Sequence, residues 1–446
     1  MSRNVVISGL GPASGLGIGI EPTWEALVAG RGAVDRIKAF DPSGFPCQVA
    51  AEIGDFSVSK HVPKWYRKAT KVMARDIELA VAAADQAARD ARLVTKGTCT
   101  NDEPHAYEGR RIGCHIGAGL IATELNELTS ALATSRNGSG AFDIRHWGRE
   151  GMQNLYPLWL LKYLPNMLAC HVTIIHDAQG PSNTITCGDS SATLSIGESM
   201  RVIQRGAADV CFCGGLESKV NPMAFMRQWL AGRLTREGND DPARAVRPFC
   251  RSAGGSALGE GGAIVVLESQ ETFTARRSQS PELAGYARLI GFGASQTFNP
   301  ASRNRLPDPE GDGIAQAIDC ALADAGAEPD QIDLIVPFGM AMPECDRAEA
   351  AALRRIFGAR LVDIPLAPVI AMAGNCCAGV GALGACVAAL ALRHQTVPAR
   401  INCETPLDGL RAGTAPSAAA ELRNALVVTT GMGGQNAALV LGRLES

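Results

Sequence analysis

The chain has 446 residues, 46% hydrophobic and 20% charged, which suits a globular protein with ample core, built as two domains or one large duplicated one. Its net charge of −3 leaves no electrostatic footprint for nucleic acid or an anionic membrane. No window approaches about 18 uninterrupted apolar residues, and the opening MSRNVVISGLGPAS is too short and Gly-rich for a signal peptide, so a cytoplasmic location is expected.

Short β-branched or apolar runs bounded by glycine recur along the chain. In order they are 4–11 (NVVISGLG), 111–119 (RIGCHIGAG), 183–188 (NTITCG), 209–215 (DVCFCGG) and 263–269 (AIVVLES), then 287–295 (ARLIGFGAS), 331–339 (QIDLIVPFG) and 425–444. Helical patterns lie between them at Arg75–Ala91, Ser191–Arg205 and Gly313–Ala325, and the Ala/Gly-heavy run Ala378–Leu392 reads as a buried helix. Strands alternating with helices predict an α/β protein. Each half carries an Ala-rich helix, a strand ending in glycines, a small-residue helix and a closing hairpin-like strand pair, which points to internal duplication. The polar stretch Glu271–Glu282 is the expected boundary between halves at 1–270 and 283–446. Residues 98–109 and 135–154 lack clear period and read as loose or loop segments.

Many of the 14 cysteines sit in apolar runs, such as Cys211 and Cys213 in VCFCGG and Cys376 and Cys377 in GNCCAG. No ligand spacing accompanies them, so they read as reduced core thiols and no metal is expected. The glycine runs GEGG and GMGGQN do not lead into a helix with Lys-Ser/Thr, so no nucleotide site is expected either. Among the seven histidines, His115, His171 and His176 lie in or beside apolar runs and read as core or interface residues. Trp147, Trp159 and Tyr163, with Leu160, are either core aromatics or the lining of an interface or tunnel.

Residues 180–191, GPSNTITCGDSS, pose a chemical question. A turn from strand end to helix start is a common place for a nucleophile. Either Cys187 or Asp189 is delivered there, and only the thiol is a good nucleophile. As a helix N-cap, Asp189 would accept backbone N–H bonds worth about 1 kcal/mol. Cys187, two residues back on an extended run, would lie roughly 6–7 Å away on the same face.

Seven ordered blocks carry a family resemblance: VVISGLGPASGLGIG, GPS at 180–182, GAADVCFCGGLES, RPF at 247–249, GEGGAIVVLE, DRAEA at 346–350 and GMGGQNAALVLG. Over nearly its whole length the chain resembles the β-ketoacyl synthases of the thiolase superfamily. The resemblance implies a thiolase-like duplicated five-layer α-β-α-β-α fold and a dimer built across the strand near 183–188, with Asn183, Ile185, Trp159 and Tyr163 as interface residues. A condensing member of the family needs a Cys to carry the acyl chain and two His to stabilise an enolate oxygen. By register, the Cys position is Asp189 and the His positions are Phe338 and Asn375. The family's Lys falls at Ile370, and the Phe of its terminal gate at Met432. The catalytic set is degenerate, and Cys187 is at most a displaced thiol.

Chain-length factors of type II polyketide synthases resemble this pattern most. They lack the Cys and the His pair and work beside an active ketosynthase. RQWLAGRLT at 227–235 and PECDRAEA at 343–350 resemble that group, whereas Asp189, where its members carry Gln, and PLWLLKYLPNMLACH at 157–171 depart from it. The resemblance implies a silent subunit in a heterodimer with an active ketosynthase. Acyl carrier protein would be met through that partner, and no cofactor is implied beyond the carrier's phosphopantetheine arm. By the same resemblance a helix beginning at Leu120 lines the partner's tunnel. Leu120 and Thr123 would reach the chain there, with Glu124 and Glu127 on the same face, and Met432 would sit at the gate. Two other readings stay open. One is an atypical synthase or acyltransferase using Cys187 or Asp189; the other is a homodimeric scaffold.

Overall fold

The computed structural model describes residues 3–100, 103–303 and 305–445. Asn101 and Asp102, in the loose segment at 98–109, lie outside the described residues. Nine strands form the path of the ten-stranded main sheet, the tenth being the short strand Gly17–Ile18 paired with the first: β1 (Val5–Ser14), β2 (Ile112–Gly117), β3 (Ser182–Ile185), β4 (Val210–Glu217), β5 (Gly261–Ser269), β6 (Ala287–Gln296), β7 (Leu334–Val336), β8 (Asn424–Thr430) and β9 (Gln435–Arg443). The helices that matter below are α1 (Arg75–Asp90), α2 (Leu125–Ala133), α3 (Met167–His176), α4 (Ser191–Gln204), α5 (Pro222–Leu230), α6 (Gln270–Gln279), α7 (Asp312–Ala325), α8 (Pro343–Phe357) and α9 (Val380–His394).

The strand order is β7-β8-β9-β6-β1-β5-β4-β2-β3. Outward from β1 the pairings run antiparallel, antiparallel, parallel, parallel. Outward from β6 they run antiparallel, antiparallel, parallel, and β7 then makes a parallel bridge from Ile335 to Leu366. The two series match, and β1 and β6 join them through three residue pairs. Helices α4 and α9 pack between the two sets of strands, α1 covers the first set and α7 the second. This is the five-layer α-β-α-β-α arrangement.

The duplication reaches individual residues. Gly9 and Gly11 of β1 lie so close to α1 that a Cβ would strike Ala83, Ala87 or Ala91, and Gly291 and Gly293 of β6 meet Ala317, Ala321 and Ala325 of α7 in the same way. Each strand also carries a register shift just before its pair of tight glycines, at Ile7/Gly9 and Leu289/Gly291. Glycine facing alanine lets the backbones of strand and helix approach closely, which is why both helices are Ala-rich.

The polar stretch at 271–282, the expected boundary between halves, is mostly helix, because Ser269 caps α6 by accepting the Thr272 N–H. Two expectations need correction. The segment at 135–154 is not all loop, since it holds the short helix Ile144–Arg149, capped by Asp143. The run at 331–339 keeps strand geometry only over Leu334–Val336. The apolar run Cys377–His394 is long enough to cross a membrane, but 89% of it is buried inside the molecule, as the centre of a five-layer fold requires.

His115, His171 and His176 are structural. His115 bonds Ser199 at 2.9 Å, His171 bonds Tyr66 at 2.7 Å, and His176 bonds Thr95 at 2.8 Å while stacking on Phe212. Burial lowers both His171 and His176 to about 4. Once unfolded, each takes a proton near pH 6.5. At these two sites the unfolded chain therefore binds more protons between about pH 6.5 and 4, a contribution that lowers stability as pH drops, by about 2.7 kcal/mol per unit at the steepest for the two together, while Asp76 and Glu349, raised by burial to about 7, and Asp90, raised to about 6, act in the opposite sense. Urea midpoints measured between pH 7 and 5 check this. The slope of the parent minus that of His176→Gln isolates one site and should reach about 1.4 kcal/mol per unit at its steepest, and no difference between the two slopes contradicts the assignment.

Candidate functional site

The turn after β3 carries residues 187–191 onto the start of α4. The strand ends at Ile185, so Cys187 is not on an extended run; it has φ −129° and ψ 41° and precedes a single 3₁₀ turn, Gly188–Ser190. That 3₁₀ turn lowers Asp189 into the protein. Asp189 is 1% exposed, whereas Cys187 remains half-buried with its thiol pushed up by burial. A raised, unassisted thiol is a weak nucleophile.

Asp189 is not the N-cap of α4. That position belongs to Ser190, and no side-chain capping bond is made there. Both carboxylate oxygens of Asp189 instead accept from one Arg233 nitrogen, Nη2, at 2.8 Å each, and the Asn375 amide adds a 3.3 Å contact to Oδ1. The physical reason is depth, since a carboxylate this buried needs a countercharge more than it needs a backbone donor. Arg233 follows α5 on the turn Ala231–Gly232. It is held by Gln228, whose Oε1 accepts from Nη1 at 3.0 Å, and its Nη2 lies 3.9 Å from the Met340 sulfur.

The other degenerate positions are buried or half-buried, and Asn375 touches this pair. Asn375 is buried, and its Oδ1 accepts from the Cys377 N–H at 2.8 Å. Phe338 is 2% exposed on a loop clamped from below by α8. Glu349 accepts the N–H groups of Phe338 and Gly339 at 2.8 and 2.9 Å, and Asp346 accepts those of Ala341 and Phe249 at 3.0 and 2.7 Å. Ile370 is fully buried on the short helix Ile370–Ala373. Met432 is half-buried on the β8–β9 hairpin, beside Gly188. Asp189 and Asn375 are in contact, Met432 lies beside the same turn, and Phe338 sits on the loop whose Met340 sulfur reaches Arg233. What sequence reasoning missed is Arg233. The signal was available in part, because a buried Asp implies a cation and the block RQWLAGRLT contains two, Arg227 and Arg233.

A second buried charge group lies at the end of β4. Glu217 pairs with Lys219 and accepts the Ala378 N–H at 2.8 Å, while Lys219 Nζ donates to the Leu120 carbonyl at 2.7 Å. Its carboxylate fills the space over Gly119, where a Cβ would collide with it. Burial, reinforced by Glu217, pushes nearby Asp76 up to about 7. These groups fix the segment 118–124, which is not helical: α2 begins at Leu125, so positions 120, 123, 124 and 127 do not share a helix face. Leu120 is 59% exposed and Thr123 half-buried. Glu127 is held inward by Lys162 at 2.6 Å and Tyr163 at 2.5 Å. A polar cavity of about 550 Å³ opens beside this network, lined by Arg75, Asp76, Ile121, Glu124, Lys162 and Tyr163 among others.

Strand β3 ends the sheet. Its neighbour β2 donates from Cys114 N to Pro181 O and from Ala118 N to Ile185 O, so the odd-numbered residues face inward and Ser182 and Thr184 face out. Asn183 is exposed and Ile185 half-buried, and the Asn183 side chain accepts the outward Thr184 N–H at 2.8 Å. Tyr163 is buried in the chain's own core and Trp159 half-buried against it; the exposed apolar surface there belongs to Leu158 and Leu160, with Ile144 and Leu125 on the neighbouring segments.

Comparison with known proteins agrees with this architecture. A model for the N-terminal domain of β-ketoacyl synthase matches residues 2–272 and one for the C-terminal domain matches residues 286–404. The chain is 34% identical over 444 residues to "Putative polyketide beta-ketoacyl synthase 1" of Streptomyces halstedii, covering 99% of this chain and 98% of that one. It is 32% identical over 445 residues to 3-oxoacyl-[acyl-carrier-protein] synthase 2 of Coxiella burnetii (strain RSA 493 / Nine Mile phase I), covering 99% of each. The solved ishigamide ketosynthase/chain length factor superposes with a TM-score of 0.83 over the whole of both chains at 27% identity.

Proposed function

The chain belongs to the β-ketoacyl synthase family, and on that premise we propose that it is a catalytically silent subunit. It pairs with an active ketosynthase and shapes the tunnel in which a polyketide or polyene chain grows. The carrying observation is the buried Asp189–Arg233–Asn375 cluster at the nucleophile position. A carboxylate already neutralised by a guanidinium is no acyl acceptor, and Phe338 and Asn375 supply no imidazole to stabilise an enolate. The free edge of β3 and the exposed apolar residues beside it support a partner subunit. The likeness to a ketosynthase/chain length factor supports the identity of that partner. Acyl carrier protein is then met through the partner, whose Cys does the chemistry.

The rival reading is an atypical synthase or acyltransferase acting through Cys187 or Asp189. It is favoured by the relatives that are named as synthases. The raised Cys187 thiol and the paired Asp189 argue against it.

Under the proposed reading Leu120, exposed and fixed through its carbonyl by Lys219, projects into the partner's tunnel beside Thr123. Packed walls tolerate little overlap. Leu120→Trp and Thr123→Phe should shorten the product and Leu120→Ala should lengthen it or broaden its distribution. Mass spectrometry of products from the reconstituted pair decides. Unchanged lengths in all three variants, with pairing and rate preserved, would move the ruler to the segment from Trp147 to Tyr163.

A further inference from the structure

A cavity of about 360 Å³ lies in the second half, away from the residues discussed above, between the segment at 360–365 and the residues around 397–422. Three arginines line it: Arg360, Arg400 and Arg411. Each is aimed by a bond to a backbone carbonyl. Arg400 Nε donates to Gly413 O at 3.0 Å, Arg411 Nη1 to Asp363 O at 2.8 Å, and Arg360 Nη2 to Ile332 O at 3.1 Å. Arg400 and Arg411 are left without a protein anion among the described residues, and Arg360 has only a long contact with one. Arg360 reaches Asp333 only at 3.9 Å, and its buried Nε has no partner. Among the described residues neither Arg400 nor Arg411 makes an ion pair.

The acids in the lining do not answer this charge. Asp333 already accepts the backbone N–H groups of Arg423 and Asn424 at 2.7 and 3.1 Å. Glu421 is paired with Arg423 at 2.9 Å. Asp363 is exposed at the rim. Burial and then the neighbouring Arg411 hold Arg400 below its usual range, with no carboxylate acting against them. The remaining wall is apolar, formed by Pro365, Val397, Ala420 and Leu422.

We propose that this cavity binds a phosphate monoester whose small organic body lies against the apolar wall. Guanidinium forks match phosphate oxygens in geometry and charge. A dianion between Arg400 and Arg411 removes their mutual repulsion. The volume falls in the range of small-molecule sites, which mostly exceed about 300 Å³, and is larger than a bare phosphate needs.

The test is calorimetric titration of the purified chain, in complex with its partner subunit if it needs one, at fixed ionic strength. The probes are glycerol 3-phosphate, inorganic phosphate, glycerol and acetate. Glycerol 3-phosphate should saturate one site and bind at least about tenfold more tightly than inorganic phosphate, with no saturation by glycerol or acetate. Arg400→Gln and Arg411→Gln should each weaken it by about tenfold or more, and Arg400→Lys should recover only part of the loss because the fork is gone. Arg411 is exposed, so its variant keeps the test open should Arg400→Gln fail to fold. Equal binding of phosphate and ester overturns the organic-body half of the proposal. No saturable binding, or binding unchanged in folded Arg411→Gln protein, overturns the site.

Discussion

Asp189→Ala is expected to destabilise the protein by about 3–5 kcal/mol, because it strands the Arg233 guanidinium without its countercharge. Arg233 is 6% exposed and its remaining contacts, Gln228 and the Met340 sulfur, are neutral. The cost is several times what a lost helix cap would give. Replacing both partners should be far milder: Asp189→Ala with Arg233→Met removes both charges and refills the space with an apolar side chain. Chemical denaturation of the two variants beside the parent measures the difference. A loss of about 1 kcal/mol or less in the single variant would show that the pair is not the feature holding this region together. Asp189→Cys should lose stability for the same reason and gain no condensing activity, since Arg233 still sits at that position and Phe338 and Asn375 supply no imidazole.

The second large effect concerns assembly. Thr184 faces away from β2, and its outward N–H is occupied within the chain only by the Asn183 side chain. In an antiparallel pairing of two β3 strands that N–H becomes a ladder donor. Thr184→Pro removes it while leaving the odd-numbered bonds to β2 in place. The dissociation constant of the dimer should rise by about 100-fold or more, corresponding to roughly 3 kcal/mol. Sedimentation of the variant with its partner reads this directly. The parent interface should bury more than about 2,000 Å², as obligate interfaces do. A parent that remains monomeric at micromolar concentration, alone and with its partner, contradicts the assignment of β3 as the interface strand.

Much of this was readable from residue order. Apolar runs bounded by glycine became strands because tight packing on Ala-rich helices demands glycine there, and that pairing repeats between β1–α1 and β6–α7. The contact of Asp189 with Asn375 joins two positions that the register singled out. What was not legible depended on three-dimensional neighbours. Spacing cannot tell whether an Asp at a helix start caps the helix or is drawn inward, and here the partner, Arg233, lies 44 residues away in sequence. Nor could the i, i+3, i+4, i+7 pattern at 120–127 reveal that Lys219 and Glu217 hold residues 118–124 out of helix. At 271–282 polarity marked an expected boundary without showing that the stretch is mostly a surface helix, which Ser269 caps.

The central claim is that this chain carries no acyl group and that its partner does. Incubate the chain alone, the partner ketosynthase alone and the pair with acyl- and malonyl-acyl carrier protein, then weigh each intact polypeptide by mass spectrometry. The account predicts an acyl adduct on the partner's Cys only, with product from the pair and none from this chain alone. An acyl adduct on this chain, mapped to Cys187 or Asp189, or condensation by this chain without a partner, would contradict it.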